Sequence, residues 1–184
     1  MNRDFEKLKR RPFFIPLLFP VLVFVAVVLA AAWLFDARAT TGIIVVRHAE
    51  VEPGTDAEPG RSVDGRERAA RLAKMLSQAR PVRGIDTIFT SEFKRTQQTV
   101  TPLAEALGLP LNIVPTATWN ELPRRILRQH RGEYVLVVGN ANTVPALVEA
   151  LSGEKVELRE DEYDTMFIVF SPQISKSKVL RVRY

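Results

Sequence analysis

Five short apolar runs, each cut off by charge, proline or glycine, constrain this chain more than any other feature. They are IIVVR (43–47), DTIFTS (86–91), NIVP (112–115), YVLVVG (134–139) and TMFIVF (165–170). Runs this short and rich in β-branched residues read as strands, and several are apolar on both faces, as strands inside a covered sheet must be. Helical stripes separate them. Ala69, Leu72, Ala73 and Leu76 recur at i, i+3, i+4, i+7; so do Val100, Leu103, Ala104 and Leu107, and again Val144, Leu147, Val148 and Leu151. Strand alternating with helix predicts an α/β three-layer sandwich around a mostly parallel central sheet. TMFIVF, the loop PQISKSK and VLRVRY predict an antiparallel hairpin that closes it. Asp64 is expected to cap the first of these helices, Pro102 to bend the second near its start, and Gly108 with Pro110 to end that second helix. VEPGTDAEPGRS (51–62), rich in Pro, Gly and charge, is expected to be a mobile rim.

Ahead of this pattern lies a stretch of another kind. Residues 12–35, PFFIPLLFPVLVFVAVVLAAAWLF, carry no charge. At about 1.5 Å per residue a helix of that length exceeds the roughly 30 Å hydrocarbon thickness of a bilayer, so it is expected to be a transmembrane anchor. The rival is a cleaved signal peptide, with small-residue sites at Ala30–Ala32 or Ala37–Ala39. Residues 1–11 form a basic tail that this reading places in the cytoplasm, with the domain at 36–184 on the periplasmic, extracytoplasmic side.

With 184 residues the chain has room for one ordinary domain and this appendage. Its net charge is +5, but Arg3, Lys7, Lys9, Arg10 and Arg11 against Asp4 and Glu6 supply +3 of it. The remainder is too nearly neutral for a nucleic-acid partner. There is no cysteine, which excludes thiol catalysis, disulfides and cysteine metal sites.

Parallel sheets bind ligands at the carboxyl ends of their strands. Here those ends carry Arg47-His48-Ala49-Glu50, then Thr90-Ser91-Glu92 with Lys94 and Arg95 on the next turn, then Gly139-Asn140-Ala141-Asn142. Arginine forks match phosphate oxygens, and nearby cations favour the neutral, nucleophilic imidazole. Two arginines, a histidine and a helix N-terminus therefore suit a phosphoryl group, which the histidine can carry covalently.

In these residues the chain resembles the histidine phosphatase, or phosphoglycerate mutase-like, superfamily. VVRHAE is similar to its nucleophile motif, DGRERAARLAKML to its first helix, TSEFKRTQQTVTPLAEALGLP to its second signature, VLVVGNANTVP to its third and EYDTMFIV to its late strand. The resemblance spans nearly all of residues 42–184. It implies His48 as nucleophile, Arg47 and Arg95 as phosphate clamp and Glu121, in WNELP, as candidate proton donor to the leaving group. As a carboxylate at a helix start, Glu121 also has a purely structural reading. Glu50 and Glu92 read as solvated rim charges.

The family has a second histidine where this chain has Asn140. The other histidine, His130, precedes the strand that ends at Gly139 and so lies roughly 17 Å from the pocket; it reads as a cation favoured at a helix C-terminus. An amide can still donate a hydrogen bond to a phosphoryl oxygen but adds no charge. The resemblance implies a phosphomonoesterase working through a phosphohistidine on His48, without metal or organic cofactor. Its substrate would be a phosphorylated small molecule or a phosphoprotein. The alternative is a catalytically silent phosphoryl-binding module. Mutase chemistry would need inserted lid segments for which the short connections leave little room.

Overall fold

The computed structural model describes residues 15–38, 40–52, 54, 61–78 and 84–184. The elements run α1 (Ile15–Arg38), β1 (Thr41–Arg47), α2 (Val63–Gln78), β2 (Thr87–Ser91), α3 (Lys94–Leu107), β3 (Leu111–Val114), a 3-10 helix (Thr116–Glu121), α4 (Leu122–Gln129), β4 (Tyr134–Gly139), α5 (Thr143–Ser152), β5 (Thr165–Ser171) and β6 (Lys178–Arg183). All six strands join one mixed sheet in the order β3-β2-β4-β1-β5-β6. The pairs β3–β2, β2–β4 and β4–β1 are parallel, whereas β5 runs antiparallel to both β1 and β6. The expected hairpin is therefore present and attached directly to the central strand.

Alternation along the strands sorts the core into two layers. Ile43, Val45, Phe89, Val135, Val137 and Phe167 pack with Trp119, Leu122, Ile126 and the α5 stripe. Ile44, Val46, Ile88, Leu136 and Val138 pack on the other face with Leu72, Leu76, Val100 and Leu103 from α2 and α3. Of the twelve stripe positions read from the sequence, all are buried except Leu107, which packs against the second layer from its edge.

Two local expectations are corrected. The cap of α2 is not Asp64, which falls inside the helix, but Ser62, whose hydroxyl accepts the Gly65 N–H at 3.1 Å. Pro102 does not stand near the start of α3, because that helix already begins at Lys94; the proline occupies its interior. Gly108 does end α3, in the left-handed region at φ 66°.

α1 is a helix of 24 residues, and its described side chains, 18–34, are all exposed. Among the described residues no helix is long and apolar enough to cross a membrane. The expected span, 12–35, extends beyond the side chains described, and the basic tail at 1–11 lies outside the described residues, as does most of the expected rim at 53–60. The described roots of that rim, Val51 and Arg61, form an isolated antiparallel bridge.

The two-layer core makes a direct stability prediction. Leu103 is fully buried, and Leu103→Ala should lower the unfolding free energy by about 2–5 kcal/mol, through lost transfer and a residual cavity. Leu180, 52% exposed on β6, should tolerate the same change at a cost within about 1 kcal/mol. Urea denaturation of both variants measures the contrast.

Candidate active site

The parallel pairing of β1 with β4 continues one residue past the strand, where the His48 N–H donates to the Gly139 carbonyl at 2.9 Å. This holds the His48 side chain at the carboxyl edge of the sheet, buried to 6%. Its Nδ1 lies 2.7 Å from the Ala49 carbonyl. A neutral imidazole meets a carbonyl through its N–H, so Nδ1 carries the proton and Nε2 the free lone pair. Burial pushes the ring down to a pKa of about 4; the Ala49 hydrogen bond opposes this, while the charges of Arg47 and Arg95 reinforce it. His48 is therefore uncharged at neutral pH, with the Nε2 lone pair unprotonated.

Arg47, itself buried, is held by the loop that precedes β5. Its Nη1 donates to the carbonyls of Arg159 at 3.1 Å and Glu160 at 2.6 Å, and its Nη2 reaches the Tyr163 hydroxyl at 3.3 Å. The guanidinium lies 4.1 Å over the Tyr163 ring, and that ring stands edge-on to His48 at 5.8 Å. The loop is fixed in turn by the buried Glu162 carboxylate, which accepts from the Thr165 hydroxyl, the Arg181 guanidinium and the Arg159 N–H. The first two of these donors hold Glu162 down to about 2. Of the Arg47 nitrogens, Nε is buried without an acceptor among the described residues. An unmet buried donor costs about 1–3 kcal/mol, and a ligand oxygen at that point would meet it.

Arg95 and Asn140 come together from two elements. Arg95 Nε donates to Asn140 Oδ1 at 3.0 Å, which leaves the amide N–H groups free to serve a ligand. Arg95 also stacks at 4.4 Å over Phe93. The Asn140 backbone N–H donates to Thr143 Oγ1 at 2.8 Å. Such a tight turn needs Gly139, because a Cβ there would come within 2.7 Å of Thr143 Oγ1 and 3.1 Å of Trp119 Cζ2. Thr99 ties the halves: its hydroxyl accepts the Ala49 N–H at 2.9 Å and donates to the Arg95 carbonyl at 2.7 Å.

Arg47 and Arg95 thus both bear on His48, and Asn140 joins the cluster through Arg95. The other candidates stand apart. Glu121 is exposed at the end of the 3-10 helix and lines a trough with α4 arginines. Glu50 is not a free rim charge: burial would raise its pKa, but a two-pronged bond from Arg68, with Nε at 2.8 and 2.9 Å from the two oxygens, outweighs that and leaves it lowered. Glu92 braces the start of the 3-10 helix by accepting the Thr116 N–H at 2.9 Å. His130 caps α4 and pairs with Glu133 at 2.7 Å. Sequence reasoning missed Tyr163, Glu162, Thr99 and Thr143. Thr143 opens α5 and Thr99 lies inside α3, both within quoted motifs; Glu162 and Tyr163 open the quoted EYDTMFIV, but no period there marks a role for them.

Residues 43–123 match the histidine phosphatase superfamily (branch 1). Among solved structures, the protein histidine phosphatase SixA complexed with tungstate is 16% identical, with 77% of this chain and 96% of that one covered and a TM-score of 0.61. The alpha-ribazole phosphatase from Shigella flexneri is 17% identical, with coverage of 78% and 96% and a TM-score of 0.56. A mycobacterial glucosyl-3-phosphoglycerate phosphatase is 15% identical, with coverage of 76% and 97% and a TM-score of 0.58. No curated protein matches the chain in sequence. The architecture is thus the α/β phosphoglycerate mutase-like fold with a mixed six-stranded sheet.

The depressed His48 pKa predicts a pH signature. Above its ordinary value of 6.5 the ring is neutral whether the chain is folded or not. Between 6.5 and about 4 the unfolded chain takes up a proton that the folded one refuses, so stability falls as pH drops through this window. The loss from this one group should total roughly 3 kcal/mol. Urea denaturation from pH 7 to pH 4 should show a smaller decline for His48→Gln than for the unmodified protein.

Proposed function

With a histidine phosphatase superfamily segment in residues 43–123 as its premise, we propose that the protein hydrolyses a phosphomonoester through a phosphohistidine on His48. The observation that carries this reading is the free Nε2 of a neutral His48 within the electrostatic reach of Arg47 and Arg95. Nε2 attacks phosphorus in line, the P–O bond to the leaving group breaks, and the departing oxygen takes a proton. Water then attacks the phosphohistidine while its proton passes to the carboxylate that protonated the leaving oxygen, and the N–P bond breaks, releasing phosphate and restoring the lone pair on Nε2. Arg47 Nε, Arg95 and the Asn140 amide donate to the equatorial oxygens, where charge accumulates. Glu121 is the proposed donor to the leaving oxygen. The substrate is a phosphorylated small molecule or a phosphoprotein, and three solved structures of similar fold are of phosphatases.

We further propose that α1 anchors the domain in a membrane, with residues 36–184 on the extracytoplasmic side. Its exposed apolar side chains, among them Phe19, Phe24 and Trp33 at 68–72% exposure, support this. The basic flank before residue 12 sets the orientation. Protease added outside spheroplasts should release the domain; protection would reverse the topology.

Rapid quenching with labelled substrate should leave an acid-labile, base-stable phosphate on His48, and His48→Ala should abolish both label and turnover. Asn140→His adds a group that can become cationic and should raise turnover by up to about 10²-fold, with a new pH dependence near neutrality. Glu121→Gln should slow esters with poor leaving groups while sparing an activated aryl phosphate. If the unmodified protein binds phosphate, hydrolyses no ester and is unmoved by Asn140→His, the pocket is a phosphoryl-binding module instead.

A further inference from the structure

On the sheet face opposite α2 and α3, a trough of about 540 Å³ runs along α4. Arg124, Arg125 and Arg128 line it with Glu121 as the one carboxylate, over the buried Val114 and Leu122.

Folding gives no reason for these arginines. Arg124 and Arg125 stand in the first turn of α4, where the helix dipole opposes positive charge. Arg124 and Arg128, four residues apart on one helix face, repel each other. The five ion pairs among the described residues involve neither these three nor Arg131, which follows α4. Arg125 has local partners, with Nε 3.3 Å from Gln129 Oε1 and its guanidinium 5.2 Å from the Phe89 ring. Arg124 and Arg128 have none among the described residues. Three cations against one carboxylate, at a cost to their own helix and with no ion pair of their own among the described residues, call for an external anion.

We propose that this trough binds an acidic polypeptide segment. Its eight-residue helix is about 12 Å long, the span of roughly four residues of extended chain. An extended chain would set carboxylates against the arginines. β3 is the outermost strand at this side of the sheet, and its edge offers backbone donors and acceptors alongside. A compact polyphosphate would use the arginines but not the strand edge. Three strand spacings, about 14 Å, separate β3 from β1. The segment would therefore lie beside the His48 pocket rather than in it, so the proposal stands whether or not His48 turns over an ester.

The test uses the full chain in neutral detergent and fluorescence anisotropy of a short labelled peptide of Glu and Leu. Saturable binding is expected, weakened about tenfold or more by the triple change Arg124→Gln, Arg125→Gln, Arg128→Gln and by added salt. His48→Ala and the distant Lys155→Gln should leave it unchanged. The triple variant should melt at the same temperature as the unmodified protein or above it, since a repulsion has been removed. Absent binding, or binding indifferent to the triple change, overturns the proposal. A Lys and Leu peptide that binds as tightly would reduce the trough to an apolar groove. Pyrophosphate or single-stranded DNA that displaces the peptide more effectively than unlabelled peptide does would replace the acidic segment with another polyanion.

Discussion

Everything at the site depends on how β1 is paired. All seven of its residues are buried, with parallel β4 on one side and antiparallel β5 on the other. In that register Arg47 lies opposite Gly139, so His48 and Asn140 leave the sheet side by side. The same register sends Ile43 and Val45 into one core layer and Ile44 and Val46 into the other. A slip of one residue would invert both layers and turn Arg47 and the residues after it toward the wrong face. The apolar packing therefore fixes the geometry of polar groups that contribute little to it.

β5 adds a second constraint. Because it runs antiparallel, the loop that leads into it arrives at the carboxyl end of β1, where its carbonyls can receive Arg47. A parallel strand would have brought its C-terminal loop there instead. The Glu162 carboxylate, bonded to Thr165 and Arg181, stiffens this loop from the hairpin side. The edge hairpin thus helps to position Arg47 although it does not touch it, and Arg181 on β6 bears on Arg47 through Glu162 and the loop carbonyls. Such a chain holds the Arg47 head group in place before any ligand arrives, which lowers the ordering cost of binding.

The strands, the helical stripes and the Arg47, His48, Arg95 and Asn140 cluster were legible in the sequence, because each either repeats with a period or stands at the end of a periodic run. What was not legible lacked that property. Loop residues 153–164 have no period, so Glu162 and Tyr163, although they open the run EYDTMFIV, showed no role of their own beside the strand they introduce. The polar first turns of α3 hid its start: the apolar stripe begins at Val100, but the helix opens at Lys94, where the Phe93 carbonyl accepts the Thr96 and Gln97 N–H groups. Ser62 and Asp64 are both capping types two residues apart, and only the position of the helix decides between them. Glu50 read as a rim charge because its partner Arg68, 18 positions away, shows no local pattern with it.

Asn140 exchanges charge for constancy. Its Oδ1 holds Arg95 Nε while its amide hydrogens remain available, and neither function depends on pH between the extremes. A neutral imidazole in the same place could also accept from Arg95 through one nitrogen. Once protonated it has two donors and no acceptor, so it would release Arg95 at the moment it gained its charge. Protonation there would also be resisted by the field of the two arginines that already helps to depress His48. The ring would become cationic mainly when a phosphoryl dianion arrives to favour it. Histidine therefore suits a site that must answer charge as it develops, whereas asparagine suits one in which Arg95 stays pinned throughout. In the proposed function the amide at position 140 would leave the stabilising of negative charge to the arginines, and the anion affinity of the pocket would then rest on the rigidity of their supports, Phe93 and Thr99 for Arg95 and the Glu162 loop for Arg47.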